Sequence, residues 1–377
     1  MTSKQAVQNQ TSIPYADLMS QHAELKQELL AAVSQVLEHS QFILGPEVEA
    51  FEKSFSQLCG VRYAVAVNSG TDALVLAMRV LGIGAGDEVI TVPNSFVATS
   101  AAIVLVGAKP VFVDVRDDCN MDPAKIEAVI TSRTKAILPV HLTGRPSDMD
   151  PILHIAEKNR LHVVEDAAQA VCAEYRGRKV GSFGTMGCFS LHPLKTLNAC
   201  GDGGILTTND KRIYENLKML RNLGLENRDS CKVWSHNTRL DTLQAAILLV
   251  KLKHLNEWTQ KRRQNANVYR NGFKGINSIR IPPEQPYEKC VYHTFVIQAD
   301  RRDELKSYLS KNGVETAIHY PIPIHLQPCA ISLGYRVGSF PMAERQANEI
   351  LSLPIYPDLS QETILKMVAL ARSFYKK

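Results

Sequence analysis

The chain has 377 residues, of which 45% are apolar and 21% are charged. This length and mixture are typical of a globular protein of about two to three domains, and they argue against a disordered chain or a coiled coil. Lys and Arg number 43 against 38 Asp and Glu. The weak positive charge suits a small anionic ligand and gives no indication of a nucleic-acid partner.

The eight cysteines contain no CxxC pair. Free thiols in a reducing compartment therefore explain them better than a zinc cluster or a redox pair does. The first 12 residues are polar and lack the apolar core of a signal peptide, and no apolar run is long enough to span a membrane. We expect a cytoplasmic protein with no membrane partner.

Helical periodicity dominates residues 14–58 and is interrupted at Gly45-Pro46. From residue 60 onward, short β-branched runs alternate with amphipathic stretches, which is typical of βαβ units and a largely parallel sheet. The predicted strands are 63–68, 88–93, 110–115, 135–142, 161–167, 187–192 and 203–209, and the predicted helices are 71–82, 95–106, 122–131, 147–160 and 239–272.

The pattern changes after about residue 275. A strand at 292–299, a helix at 302–312 and a loop rich in His and Pro at 319–328 predict a smaller C-terminal α+β domain. The chain is therefore divided into an N-terminal helical segment (1–59), a large α/β domain (60–250), and a long helix with a small C-terminal domain (251–377).

The motif NSGTDAL at 68–74 follows a predicted strand and opens a helix. This order places the backbone N–H groups of Ser69, Gly70 and Thr71 at a helix N-terminus, where a phosphate binds well. An ordinary capped turn between a strand and a helix explains the same residues.

Asp166 ends the apolar strand in VVEDAAQA. α/β proteins place their sites at this carboxyl edge, and strand alternation turns Glu165 and Asp166 to opposite faces. Asp166 is then either a solvated strand end or the partner of a buried cation. Gln169 faces the same pocket if a helix begins there.

Lys195 lies among apolar and small residues in CFSLHPLKTLNACGDGG. Pro193 stiffens its approach, and the following glycines allow close backbone packing. A lysine that is partly desolvated loses its preference for the charged form and becomes a usable nucleophile. The alternative is an ordinary surface lysine on a loop.

Three further patterns carry less information. NTRLDTLQAA at 237–246 looks like the start of the long helix, with Asn237 or Thr238 as its cap. GIGAGD at 82–87 leads from a helix into a strand, the reverse of the order in a dinucleotide-binding loop. His319 and His325 lack metal-ligand spacing, so we predict no metal site.

Together these features suit pyridoxal phosphate (PLP). A lysine forms the Schiff base, an acid pairs with the pyridinium nitrogen and a helix N-terminus holds the phosphate. Phe96 in NSFVAT is placed to stack on the ring.

The sequence resembles the DegT/DnrJ/StrS family of nucleotide-sugar aminotransferases, which are fold-type-I PLP enzymes. The resemblance extends from IPYADL at 13–18 to LSLPIYPDLS at 351–360, and it rests on FILGPEVEAFE, VNSGTDAL, GDEVITVPNSFVATS, VVEDAAQA, FSLHPLK, GDGG, NTRLDTLQAA and IHYPIPIHLQ in combination.

The resemblance implies an α/β fold with a large domain built on a mostly parallel sheet, and it assigns roles to individual residues. Lys195 would carry the Schiff base and move protons, and Asp166 would keep the pyridine nitrogen protonated. Asn237 would reach the phosphate in the neighbouring subunit, which implies a homodimer with shared sites. The remaining cofactor contacts would be Gly70, Thr71, Phe96, Gln169 and Ser190.

The implied reaction moves an amino group from L-glutamate, through PLP and its amine form PMP, to a nucleotide-linked keto-deoxysugar. The GDGG at 201–204 is more similar to members that act on 3-keto sugars. Tyr320 and His325 are candidates for contacting the sugar.

Three other classes of protein are alternatives. The nearest is a PLP-dependent sugar dehydratase of the same family, in which histidine replaces the Schiff-base lysine, so Lys195 disfavours it. A nicotinamide oxidoreductase is disfavoured because no GxGxxG follows a strand and opens a helix. A DNA-binding regulator is disfavoured because the sequence has no helix-turn-helix signal and no concentrated basic face.

Overall fold

The computed structural model describes residues 12–376. The polar stretch 1–11, on which the prediction of no signal peptide rested, lies outside the described residues. Within 12–376, none of the helices combines the length and apolar character needed to cross a membrane.

A seven-stranded sheet organises the first two thirds of the chain. Its order is β1-β9-β8-β5-β4-β2-β3. The five strands from β8 to β3 run parallel to one another, whereas β9 is antiparallel to both of its neighbours, so the sheet is mostly parallel, as predicted. The strands are β1 (Tyr63–Val67), β2 (Glu88–Thr91), β3 (Lys109–Phe112), β4 (Thr134–Ile137), β5 (His162–Asp166), β8 (Met186–Ser190) and β9 (Gly204–Thr208).

Helices cover both faces of this sheet, because alternate residues of its strands are buried in different cores. In β1, Ala64 and Ala66 pack with the aromatic rings of Phe51 and Phe55, whereas Val65 packs on the opposite face. The helices of this region are α1 (Leu18–His39), α2 (Pro46–Cys59), α3 (Gly70–Val80), α4 (Val97–Leu105), α5 (Met149–Asn159), α6 (Lys211–Leu220) and α7 (Thr242–Leu252).

A second, antiparallel sheet of three strands, in the order β12-β14-β15, follows with its own core. Its strands are β12 (Ile279–Arg280), β14 (Phe295–Ala299) and β15 (Ile350–Leu353), and its helices are α8 (Leu255–Phe273), α9 (Arg302–Lys311), α10 (Pro341–Glu349) and α11 (Gln361–Tyr375). Short strands complete the structure at β6 (Glu174–Tyr175), β7 (Arg178–Lys179), β10 (Leu225–Asn227), β11 (Ser230–Cys231) and β13 (Glu288–Lys289).

Two predicted helices differ in the structure. The stretch 122–131 forms two short 3-10 turns, Pro123–Lys125 and Glu127–Val129, because it buries too few side chains to stabilise an α-helix. The long helix predicted at 239–272 is two helices, α7 and α8. Leu248 of α7 packs in the core of the large sheet and Ala266 of α8 in that of the small sheet, so the chain turns at residues 253–254.

The predicted domain boundary at residue 250 lies inside α7. The division into segments 1–59, 60–250 and 251–377 stays a prediction.

Candidate active site

One cavity of about 400 Å³ opens beside the carboxyl end of β5. Among its lining residues are Asp166, Lys195 and the N-terminal residues of α3. The small sheet contributes its other wall through Thr294 and the loop that contains Tyr320. Residues that are distant in sequence therefore meet at the sheet edge where α/β proteins place their ligands.

The N-terminus of α3 forms one end of the cavity. Ser69 caps the helix by accepting a hydrogen bond from the Asp72 N–H at 3.0 Å. A Cβ atom at Gly70 would lie 2.7 Å from the Cβ of Ser190, and one at Gly204 would collide with the Ser69 carbonyl oxygen. Only glycine therefore allows α3 to approach β8 and β9 this closely. The N–H groups of Gly70 and Thr71, the first two residues of α3, have no acceptor within the helix and are placed to bind an anion.

Asp166 is buried at the end of β5. Thr99 donates its hydroxyl to Oδ2 at 2.7 Å, and the Ala168 N–H donates to Oδ1 at 3.2 Å. Burial raises the pKa of Asp166, while these hydrogen bonds and the charge of Lys195 oppose that rise. The carboxylate is thus a desolvated acid whose natural stabilising partner is a cation.

Glu165 has a different role on the other face of β5, as the alternation predicted. It accepts hydrogen bonds from His141 at 3.1 Å and from the backbone N–H groups of Gly181, Phe183 and Gly184. All of its lone pairs thus serve the fold, so it is not an alternative to Asp166.

Lys195 lies on the loop between β8 and β9, at residues 191–203, which we call the lysine loop. Its side chain is half-buried, and desolvation lowers its pKa to about 8 despite the nearby charge of Asp166. Asn198 fixes the loop by donating to the Lys195 carbonyl oxygen at 3.0 Å. The fully buried Lys251 of α7 in turn donates to the Asn198 carbonyl oxygen at 3.0 Å. The amine is therefore reactive, and the backbone of the loop that carries it is fixed.

Phe96, Gln169 and Tyr320 line the same cavity. The centroids of the Phe96 and Tyr320 rings are 5.5 Å apart. The Gln169 side chain accepts from the Thr143 N–H at 2.6 Å and donates to the Tyr320 hydroxyl at 3.2 Å. Phe96 is the N-cap of α4 rather than part of the helix, and Gln169 lies in a series of turns, so no helix is needed to direct it inward.

His325 does not line this cavity, so its predicted contact with the sugar has no support in the structure. Its side chain is fully buried, with Nε2 3.0 Å from Glu344 and the ring 4.8 Å from Phe340. It does not line the cavity, because a short 3-10 helix (Ile324–Leu326) turns it toward α10.

Asn237 also lies outside the cavity of its own chain. It is exposed and pairs with Asn222 in an isolated β-bridge. The sequence predicted that Asn237 or Thr238 caps the following helix, but α7 begins at Thr242 with Asp241 as its N-cap.

The residues predicted from the sequence did not include Thr99, Asn198, Lys251 or Arg262. Thr99 falls in the same motif as Phe96, three residues later, and this spacing was an available signal. Lys251 and Arg262 are basic residues on helices, and such residues are usually exposed, so no local pattern reveals that both are buried.

Comparison with known proteins identifies the family. Residues 23–371 match the DegT/DnrJ/EryC1/StrS aminotransferase family. A dTDP-3-amino-3,4,6-trideoxy-alpha-D-glucose transaminase from Streptomyces venezuelae is 42% identical over 97% of this chain and 97% of its own length. A UDP-N-acetyl-3-dehydro-alpha-D-glucosamine 3-aminotransferase from Acidithiobacillus ferrooxidans is 43% identical over 96% of this chain and 98% of its own.

A solved structure agrees with these relatives. S. venezuelae DesV, crystallised with a ketimine intermediate, superposes with a TM-score of 0.95 at 43% identity, covering 97% of this chain and 99% of that one. The chain belongs to the DegT/DnrJ/EryC1/StrS aminotransferase family. It is an aminotransferase of the fold-type-I class with PLP as its cofactor, so the predicted class, fold and cofactor are confirmed.

The cavity fits this cofactor. The glycine-lined α3 terminus suits a phosphate, the buried Asp166 suits a pyridinium nitrogen, and the desolvated Lys195 suits an aldehyde carbon.

The shifted pKa of Lys195 makes the stability of the cofactor-free protein depend on pH. The pKa is about 8 in the folded chain against an ordinary value of 10.5. Between these values the unfolded chain binds more protons, so this residue makes the free energy of unfolding rise with pH. Below pH 8 its destabilising effect is fully present.

We therefore expect Lys195→Met to stabilise the cofactor-free protein at pH 7, and this gain to shrink as the pH rises from about 8 to 10. Urea unfolding of parent and variant across this range measures it. Lys366→Met, at an exposed position on α11, is the control. We expect its free energy of unfolding to differ from that of the parent by the same amount across this pH range. A gain for Lys195→Met that does not vary with pH contradicts the assignment of a desolvated amine.

Proposed function

We propose that this protein transfers the amino group of L-glutamate to a nucleotide-linked 3-keto-deoxysugar, acting as a cytoplasmic homodimer. The observation that carries the proposal is the meeting, in one cavity, of Lys195, Asp166 and the α3 anion site. The relatives named above are transaminases of nucleotide-linked 3-amino sugars, which favours the same substrate class and the 3-position.

Each side chain of the site has a separate role in the proposed reaction. When bound, PLP supplies an electron sink for the carbon that loses its proton. Lys195 moves that proton, because its pKa near 8 lets it act as base and as acid close to neutral pH. Asp166 favours the protonated form of the ring nitrogen, and Ser190 with Gly70 and Thr71 of α3 holds the phosphate.

Tyr320 contributes to the substrate side of the cavity. Its hydroxyl is held by Gln169, and its ring packs beside Phe96 at the mouth. Burial raises the pKa of Tyr320 to about 12, so the hydroxyl stays neutral and serves as a hydrogen-bond donor to a sugar oxygen. We propose no sugar contact for His325. A dehydratase is the less favoured alternative, because Lys195 occupies the position at which the resemblance places histidine in those enzymes, and because the relatives named above are transaminases.

Asn237 gives the reason for proposing a dimer. It is exposed on its own chain, but it lies in a segment attached to the cofactor end of α3. His236 is 3.0 Å from Asp72 in the first turn of α3. The same segment also reaches the last turn of α3, where Arg79 donates to Ser235 at 3.3 Å. We propose that a partner subunit's cavity receives Asn237 at its phosphate.

The first test replaces Lys195 with alanine. Because none of the described residues that line the cavity offers another amine for the proton transfer, we expect no measurable amino sugar from a panel of nucleotide-linked 3-keto and 4-keto sugars with L-glutamate, as detected by mass. Lys158→Ala, at an exposed ion pair, is the matched control and keeps parental turnover. Lys195→Ala turnover within about tenfold of the parent, equivalent to about 1.4 kcal/mol, would remove Lys195 from this role.

The second test mixes Lys195→Ala with Asn237→Ala subunits after dissociation and reassociation at limiting PLP. If Asn237 serves the partner's site, a mixed dimer has one intact site and one doubly impaired site. Random pairing then restores about a quarter of parental activity. Exchange is verified by native mass spectrometry, and Asn237→Ala must be impaired alone. Failure to recover activity under these conditions would place Asn237 in its own chain's site or outside the phosphate site.

A further inference from the structure

Four arginines are buried among the residues that the structure describes, and one of them differs from the rest. Arg145 pairs with Glu288, Arg221 with Glu52 and Arg302 with Asp303. Arg262, which is 9% exposed, has no carboxylate within ion-pair distance in residues 12–376. A buried charge is strongly unfavourable unless hydrogen bonds and a counter-charge compensate it.

One amino group of the Arg262 guanidinium, Nη1, is fixed by hydrogen bonds to the backbone. Its Nη1 donates to the carbonyl oxygens of Ile355 at 2.5 Å, Tyr292 at 3.3 Å and His293 at 3.5 Å. Its Nε has no partner among the described residues. An unpartnered Nε also occurs at Arg221, so the missing carboxylate is the feature that distinguishes Arg262. The side chain is thus a positioned cation with unused donor capacity.

Arg262 also lines the cavity that contains Lys195. His293 lies close enough to Lys195 and Arg262 to feel both charges. Its pKa is well below the ordinary value, mainly because of burial and then because of these two charges. His293 is therefore neutral, and an imidazole supplies no negative charge that could offset the charge of Arg262. Tyr15 lines the same wall, and burial raises its pKa, so it is not an anion either. Asp358 is engaged by Lys261 at 3.4 Å.

We propose that Arg262 binds a carboxylate of the amino donor. This inference rests on the proposed function, in which L-glutamate is the donor. Arginine is the side chain best suited to a carboxylate, because its planar donors match the two oxygens. The donor also has a carboxylate on the carbon that carries the reacting amine, close to Lys195. The two other anionic groups fit Arg262 less well, because part of the sugar ring separates the diphosphate of the sugar substrate from the reacting carbon, and the cofactor phosphate would bind at α3.

The test separates the two halves of the reaction. Arg262→Lys and Arg262→Gln are compared with Arg263→Gln, which alters the next residue of α8. Arg263 is a matched control because it also donates to a backbone carbonyl, that of Cys290 at 2.6 Å, but does not line the cavity. Bleaching of the visible cofactor band by L-glutamate reports the donor half, and the return of the band with keto sugar reports the acceptor half.

For both Arg262 variants we expect the L-glutamate concentration at half-maximal bleaching rate to rise by about tenfold to a hundredfold, the range for losing a hydrogen bond between charged groups. The acceptor half and the Arg263→Gln variant keep parental values. An equal loss in both halves shows a structural role only and overturns the inference. Parental protein that L-glutamate does not bleach contradicts the proposed function instead.

Alternative donors show which carboxylate is bound. L-alanine lacks the side-chain carboxylate, and 4-aminobutyrate lacks the one next to the amine. If Arg262 binds the carboxylate beside the amine, the variants lose rate with L-alanine but not with 4-aminobutyrate, and the reverse holds for the side-chain carboxylate. Unchanged rates with both donors contradict any carboxylate contact.

A measurement on the unmodified sequence covers the case in which the variants fail to fold. The PLP form is treated with phenylglyoxal, an arginine reagent, with and without 2-oxoglutarate, and modified arginines are mapped by mass spectrometry. We expect 2-oxoglutarate to protect Arg262 and not Arg263. Modification of Arg262 at the same rate in both conditions overturns the inference.

Discussion

The site depends on how closely the N-terminus of α3 approaches the ends of β8 and β9. Gly70 lies against Ser190, and Gly204 lies against the backbone of Ser69, with no room for a side chain at either glycine. This contact places unpaired backbone N–H groups at the edge of the sheet where β5 presents Asp166. Because β8 ends and β9 begins beside this helix terminus, both ends of the lysine loop also lie there. The anion site, the acid and the amine therefore share one cavity.

The turn between α7 and α8 determines where two further cations lie around the site. Because the two helices pack in different cores, each contributes a buried cation near the site from a different direction. Lys251 of α7 fixes the lysine loop through Asn198. Arg262 of α8 approaches from the small sheet, held by carbonyl oxygens of the segment before β14 and of the one after β15. The charge distribution of the cavity therefore follows from the way the two sheets are joined.

Much of this site could be predicted from local sequence because its residues lie where one element changes into another. Asp166 ends an apolar strand, Gly70 opens a helix after a strand, and Lys195 follows a strand within a run of small residues. At such positions the hydrophobic period changes from that of a strand to that of a helix or loop. The direction of a side chain there follows from the geometry of the adjoining strand or helix.

The features that could not be predicted depend on long-range packing. The turn at residues 253–254 has no Gly or Pro signal, because only the separation of two cores requires it. His325 is six residues from His319, yet the two face different surroundings, since loop residues follow no fixed period. Arg262 lies in the charged run QKRRQN, which is typical of an exposed helix face until the small sheet covers it.

The central claim is that this cavity binds PLP and accepts an amino group from L-glutamate. The most direct measurement is the absorbance spectrum of the purified protein with added PLP, before and after stoichiometric L-glutamate. The account predicts a visible band that glutamate bleaches, with one equivalent of 2-oxoglutarate released for each site and the band restored by a nucleotide-linked 3-keto sugar. A protein that PLP does not colour, or a band that glutamate leaves unchanged, would contradict it.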